Sequence, residues 1–174
     1  MVSDKEQHRI WDVYNKHLGY LKNKKVHVLE LGVFNGESIN YMAENMFTHK
    51  DSVIYGVDIR HPIIELDKKA IFINTGQDNP SMFETIKGNL DVIIDDASHD
   101  PTLTLNSFDL LWSRVKPGGW YIIEDWHPAV LPEMAKKVIE ITERIREQCD
   151  DVILWQKDTE PVAAVVLYKK KTKK

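Results

Sequence analysis

The sequence predicts a doubly wound α/β domain: a mostly parallel sheet of seven strands, helices on both of its faces, and an antiparallel hairpin at the C-terminal edge. Three observations carry that prediction. Apolar runs of strand length alternate with stretches of helical period, the pattern of successive βαβ units. Within "DVIIDDASHD", positions 91–100, the run "VII" is apolar at consecutive positions, as in a strand buried on both faces. The last two runs, "VILWQ" and "AAVVLY", are separated by too few residues for a parallel crossover, so they must pair antiparallel.

The elements follow in order. Residues 1–24 read as a helical extension, with Ile10, Trp11, Tyr14 and Leu18 on one face; the domain proper spans 25–169, and 170–174 form a basic tail. A strand at 26–31 leads through Gly32 and Gly36 into a helix carrying Ile39, Met42, Ala43 and Met46 inward. Strands at 53–59 and 70–74 are joined by a short helix after Pro62, and a helix at 81–87 precedes the strand ending at Asp96. The next helix buries Phe108, Leu111, Trp112 and Val115 and is stopped by the turn chemistry of "KPGG". After "WYIIED" comes a long helix at 129–149, with Met134, Ala135, Val138, Ile141 and Ile145 inward and Cys149 as a half-buried filler near its end.

Composition narrows the function classes. At 174 residues the chain holds one ordinary domain, hence one site. A content of 43% hydrophobic and 29% charged residues is that of a globular protein, and no apolar run approaches the roughly 18 residues of a membrane helix. The start is too polar for a signal peptide, so cytosolic residence is the expectation. A single cysteine excludes an internal disulfide framework. A net charge of -4 argues against nucleic acid as partner, and "KKKTKK" reads as a solvated, frayed end.

The turn "VLELGVFNGES" offers a ligand close backbone approach at Gly32 and Gly36 and the free N–H groups of a helix start. Asp58, closing the next strand, suits both hydroxyls of an adenosine ribose. Glu30 adds a negative charge that repels a pyrophosphate but suits an ammonium group. Gln77 or Asp78, in the turn after the third strand, are the candidates for an adenine amine. Asp96 closes the fourth strand, and Glu124 and Asp125 close the fifth. Strands lie about 4.8 Å apart, so the three carboxylates meet and need a cation. All-oxygen ligands suit Mg²⁺. Asp95 points to the opposite side of its strand, toward a supporting or cofactor role. Asp100 is a candidate to orient the nearby His99, while Trp112, Trp120 and Trp126 are candidates to stack on a ligand.

"ELGVFNGES" resembles the first motif of class I S-adenosylmethionine-dependent methyltransferases, with Phe34 at a position where many members have glycine. "TGQDNP", "DVIIDDASHD" and "VKPGGWYIIEDWH" resemble, more narrowly, the macrocin O-methyltransferase and cephalosporin-hydroxylase-like branch, which includes metal-dependent sugar O-methyltransferases. The resemblance implies a Rossmann-like, seven-stranded sheet that binds S-adenosylmethionine and leaves S-adenosylhomocysteine. It implies cofactor contacts from Glu30, Gly32, Asn35, Gly36, Ser38, Asp58, Gln77, Asp78 and Asp95. It further implies Mg²⁺ on Asp96, Glu124 and Asp125, and His99 as the base that takes the acceptor proton. The acceptor expected is a hydroxyl of a sugar or glycosylated small molecule, held in an open cleft or in a pocket completed by a second copy in a homo-oligomer. A catechol-type diol methyltransferase and a non-catalytic S-adenosylmethionine-binding module are the alternatives.

Overall fold

The computed structural model describes residues 4–157 and 160–172. Seven strands form one sheet: β1 (His27–Leu31), β2 (Val53–Asp58), β3 (Ala70–Asn74), β4 (Leu90–Asp95), β5 (Val115–Glu124), β6 (Cys149–Lys157) and β7 (Glu160–Lys170). Their spatial order is β3-β2-β1-β4-β5-β7-β6. The first five strands run parallel, and β7 is antiparallel to both β5 and β6, so the expected hairpin inserts its second strand inward.

Alternation within each strand sends side chains to two cores. Val28, Val92, Ile94, Trp120 and Ile122 join α2 (Ile10–Leu18) and α3 (Glu37–Tyr41) on one face. Leu29, Ile93, Phe108, Tyr121 and Val138 fill the other, under α4 (Pro101–Leu111) and α5 (Pro132–Ile145). Both faces are covered, which accounts for the uninterrupted "VII" of β4. A first short helix, α1 (Asp4–Gln7), precedes α2. Among the described residues no helix is long and apolar enough to cross a membrane.

Several boundaries differ from expectation for local reasons. The segment after Pro62 is irregular instead of helical. Its backbone bonds to the first turn and to α3: Ile63 and Ile64 N–H groups donate to the Asn35 carbonyl, and the Asn40 side chain ties Glu65 and Asp67. α3 continues into one wide π-type turn, Met42–Met46, and a 3₁₀ turn, Pro80–Glu84, replaces the helix expected at 81–87. "KPGG" does not separate a helix from a strand but lies within β5, as an excursion between the Leu90↔Val115 and Val92↔Trp120 pairings. α5 stops at Ile145, and Cys149 opens β6 because the ladder with β7 extends out to Lys170. Lys169 and Lys170 are strand residues instead of a frayed end, and Lys170 Nζ donates to the carbonyls of Trp112 and Val115. Positions 173–174 lie outside the described residues.

The register aligns the carboxyl ends of the central strands. Leu31 lies opposite Val57 and Asp95, and Asp95 lies opposite Ile123. Everything that follows these residues therefore opens onto one edge, at the point where the strand order reverses beside β1.

Candidate active site

A cavity of about 400 Å³ opens at that edge, lined by Gly32, Phe34, Asn35, Asp58, Gln77 and Asp78 among others. The turn after β1 brings its floor close to the neighbouring strand. Gly32 has φ +86°, and a Cβ there would lie 2.0 Å from the Asp96 carbonyl oxygen, so only glycine fits. Asp58 Oδ2 accepts from the Val33 and Phe34 N–H groups at 2.9 and 3.0 Å, and Oδ1 accepts from Arg60 N–H at 2.8 Å. Oδ1, with a single bond, keeps lone-pair capacity for a further hydroxyl. The carboxylate is thus fixed at the cavity wall before any ligand arrives.

Gln77 and Asp78, which sequence alone could not separate, differ here. Gln77 is buried and spends its amide inside the protein: Nε2 donates to Ser107 at 3.1 Å and more weakly to Asp95 at 3.4 Å, while Oε1 accepts from Ser98. Asp78 accepts from Asn106 at the cavity rim. Asp95 sits behind Gln77, and its burial, with the nearby charge of Asp96, pushes its carboxyl up to about 8. Glu30 and Ser38 lie beneath the first turn, bonded to each other at 2.7 Å. Burial pushes Glu30 up to about 7, opposed by Lys5 and Ser38.

The acids at the ends of β4 and β5 divide into two groups. On the open side, His99 Nε2 is 3.8 Å from Asp96 Oδ1 and 3.6 Å from Asp125 Oδ2. Asp96, His99 and Asp125 each offer a ligand atom, all within 4.8 Å of one another. The two carboxylates offer oxygen donors that fit a divalent cation with water completing its shell, and the imidazole stands beside them. Phe34, His99 and Asp125 account for three of the four described non-glycine residues with positive φ. Such conformations gather where a backbone is held for function.

On the buried side, Glu124 is 1% exposed and turns away from that set. Its Oε1 accepts from Lys5 Nζ at 2.6 Å and from the Tyr14 hydroxyl. Burial and the Asp96 charge push its carboxyl up to about 8, against the pull of Lys5 and Tyr14. The expected trio of Asp96, Glu124 and Asp125 is therefore not gathered at one point, and His99 stands where Glu124 was expected. Asp125 lies just past β5 with φ 52°, so the chain has left the strand there, whereas Glu124 is still a strand residue on the buried side.

Asp100 does not orient His99 but caps α4, accepting from Thr102 and Leu103 N–H groups at 2.9 Å. Trp120 is buried and donates to the Tyr20 hydroxyl, and Trp112 is core, so neither reaches a ligand. Lys5 and Tyr14 were not singled out for the site by sequence reasoning; only the excess of unpaired acids pointed to a missing donor.

Comparison with known proteins identifies the family. A family described as a methyltransferase domain matches residues 29–126. The demethylmacrocin O-methyltransferase of Streptomyces fradiae is 30% identical over 129 residues, 68% of this chain and 32% of that protein. The 8-demethyl-8-alpha-L-rhamnosyl tetracenomycin-C 2'-O-methyltransferase of Streptomyces olivaceus is 27% identical over 135 residues, 72% of this chain and 35% of that protein. The chain thus spans about a third of the length of these relatives. The structure of MycE methyltransferase from the mycinamycin biosynthetic pathway, in complex with Mg, SAH and mycinamycin VI, superposes with a TM-score of 0.73 at 21% identity. That match covers 97% of this chain and 53% of MycE, and at that identity it speaks for the shared fold. Because the family match runs from β1 to just past Asp125, through every strand end that carries a site residue, the chain belongs to this methyltransferase domain family.

Proposed function

We propose that the protein is an O-methyltransferase that moves a methyl group from S-adenosylmethionine to a hydroxyl of a sugar or glycosylated small molecule, with Mg²⁺ as its metal. One observation carries the reading: the cavity held open by Gly32 and Asp58 adjoins an imidazole placed between two carboxylates. Asp58 holds the ribose, Asp78 the adenine amine, and the first turn with Gly36 and Asn35 receives the amino-acid end of the cofactor. Glu30, through Ser38, and Asp95, through Gln77, support those contacts from behind.

In the reaction the acceptor oxygen attacks the sulfonium methyl, the carbon–sulfur bond breaks, and S-adenosylhomocysteine leaves as a neutral thioether. The acceptor proton goes to His99 Nε2. Asp96 and Asp125 would hold Mg²⁺, which supplies a Lewis acid beside the acceptor hydroxyl. The relatives' names, macrocin and a rhamnosyl tetracenomycin among them, support a glycosylated acceptor over a nucleic acid, in keeping with the net charge of -4. The free, buried thiol of Cys149 is in keeping with a reducing cytosol.

The test is a set of rhamnosyl and other deoxysugar glycosides, read by S-adenosylhomocysteine formation with Mg²⁺ and with excess EDTA. Transfer to a glycoside that EDTA abolishes and Mg²⁺ restores is expected. Full activity in EDTA would remove the metal from the reading, and a chain that binds no S-adenosylmethionine would sink it altogether.

A further inference from the structure

Gln77 joins two loops of the site. It stands in the turn after β3, which lines the cavity through Thr75, Gly76, Gln77 and Asp78, yet it is only 8% exposed. Its Oε1 accepts from Ser98 Oγ at 2.6 Å and from the Ser98 N–H at 3.3 Å. Its Nε2 donates to Ser107 Oγ on α4 at 3.1 Å and to Asp95 Oδ1, at the end of β4, at 3.4 Å. Ser107 is anchored in turn on the Leu103 carbonyl at 2.8 Å. Removing a buried amide engaged at both ends leaves each partner without its bond and without water to replace it.

The residue after Ser98 is His99, held at φ 53°. A non-glycine residue leaves that region unless its surroundings hold it there. His99 Nε2 lies 3.8 Å from Asp96 Oδ1 and 3.6 Å from Asp125 Oδ2, beyond the reach of a hydrogen bond, so these acids do not fix the ring. The backbone on either side of it is fixed instead. Ser98 Oγ, bonded to Gln77, also accepts from the Asp100 N–H at 3.2 Å, and the Asp100 side chain caps α4. Asp100 ties the loop to α4, and Gln77 ties it to β3 and β4.

We infer that Gln77 is a positioning residue for His99: through Ser98 it holds the left-handed turn that sets the imidazole beside Asp96 and Asp125. The wall of the cofactor cavity and the loop of the base thereby form one hydrogen-bonded unit. The consequence for turnover rests on the reading of His99 as the base; the placement of the ring does not.

Acylation of histidines by diethylpyrocarbonate, followed residue by residue through peptide mass mapping, tests it on wild type, Gln77→Met, Ser98→Ala and the double variant. In Gln77→Met the rate at His99 should rise roughly threefold or more, because the loop opens more often. His61, which lines the same cavity on another loop, should keep its wild-type rate. A general loosening would raise both histidines together, and that result, like an unchanged His99, overturns the placement. Ser98→Ala cuts the same link from its other end, so the double variant should react within about twofold of Gln77→Met alone; multiplied effects overturn the link. Should Gln77→Met not fold, Ser98→Ala decides by the same selective rise at His99. With a glycoside that wild type methylates and saturating S-adenosylmethionine, Gln77→Met should lower kcat roughly tenfold or more, the scale of a misplaced catalytic group. Its calorimetric affinity for S-adenosylhomocysteine should stay within about threefold of wild type, since the cavity wall itself remains. Lost affinity with unchanged kcat would make Gln77 a cofactor contact and overturn the inference. Wild type that binds no S-adenosylhomocysteine, or His99→Ala as fast as wild type, defeats the function reading, while the acylation rates still decide the placement.

Discussion

His99 and Asp125 meet across the ends of β4 and β5, with Nε2 3.6 Å from Oδ2, and the two share a left-handed backbone, φ 53° and 52°. That conformation costs a non-glycine residue of order 1 kcal/mol. Each residue bends the chain back over its strand end, so the meeting is set by the backbone and not only by the side chains.

Replacing the imidazole should therefore leave the pocket intact. His99→Ala is expected to lower kcat by roughly 10²–10⁴, the span of general base catalysis, with unchanged affinity for S-adenosylhomocysteine. Single-turnover kinetics beside calorimetry would check it, and a variant as fast as wild type would exclude the base role.

Asp58 serves both the ligand and the loop. Asp58→Ala should weaken S-adenosylhomocysteine binding by about 1.5–3 kcal/mol, the range for hydrogen bonds to a charged group. Asp58→Asn keeps an acceptor for part of the Val33, Phe34 and Arg60 N–H set and should fall between the two. Calorimetry showing both variants at wild-type affinity would remove Asp58 from the cofactor site.

Tyr14 is fully buried and its hydroxyl donates to Glu124. Tyr14→Phe keeps the packing and removes the donor, so urea unfolding should show a loss of about 1–3 kcal/mol. Cofactor affinity should not change, because Tyr14 lies on the closed side of the sheet end.

Burial raises the thiol of Cys149 to about 11 from its ordinary 9.0. The folded value lies above the unfolded one, so the neutral thiol favours the fold below pH 9 and that preference is lost as pH rises through 11. Iodoacetamide at pH 8 should label the native protein slowly and the urea-unfolded chain quickly. The native labelling rate should keep climbing with pH beyond 9, and a plateau at 9 would contradict the shift.

Much of this arrangement was legible in the sequence because it follows from local pattern. "VII" before "DD" marks a strand buried on both faces whose charged end must open onto a cleft, and the short gap after Gln156 forces an antiparallel return. Gly32 and Asp58 were legible for the same reason, each closing a strand. What escaped depends on distant partners. The segment after Pro62 looks helical until Asn35 and Asn40 take its backbone bonds. Cys149 fits the period of α5, yet pairing with Lys170 draws it into β6. Lys5 reaches acids 91 and 119 positions away, and nothing in "SDKEQ" distinguishes it from a surface lysine. Glu124 and Asp125 were placed at the right strand end, but which of them would face the cavity depended on where β5 ends.

The placement of β7 between β5 and β6 bears on how the protein is made. β5 carries Glu124 and Asp125 and is bordered by β4 on one side and by β7 on the other. A ribosome that has finished β6 has still not delivered the strand that covers this border. Until then β5 exposes an unpaired row of backbone donors and acceptors over Trp120–Glu124, the kind of border at which nascent chains stick to one another. The reactive end of the sheet is therefore completed only after β6 has been made, and truncations removing β7 should yield insoluble chains rather than a smaller folded domain.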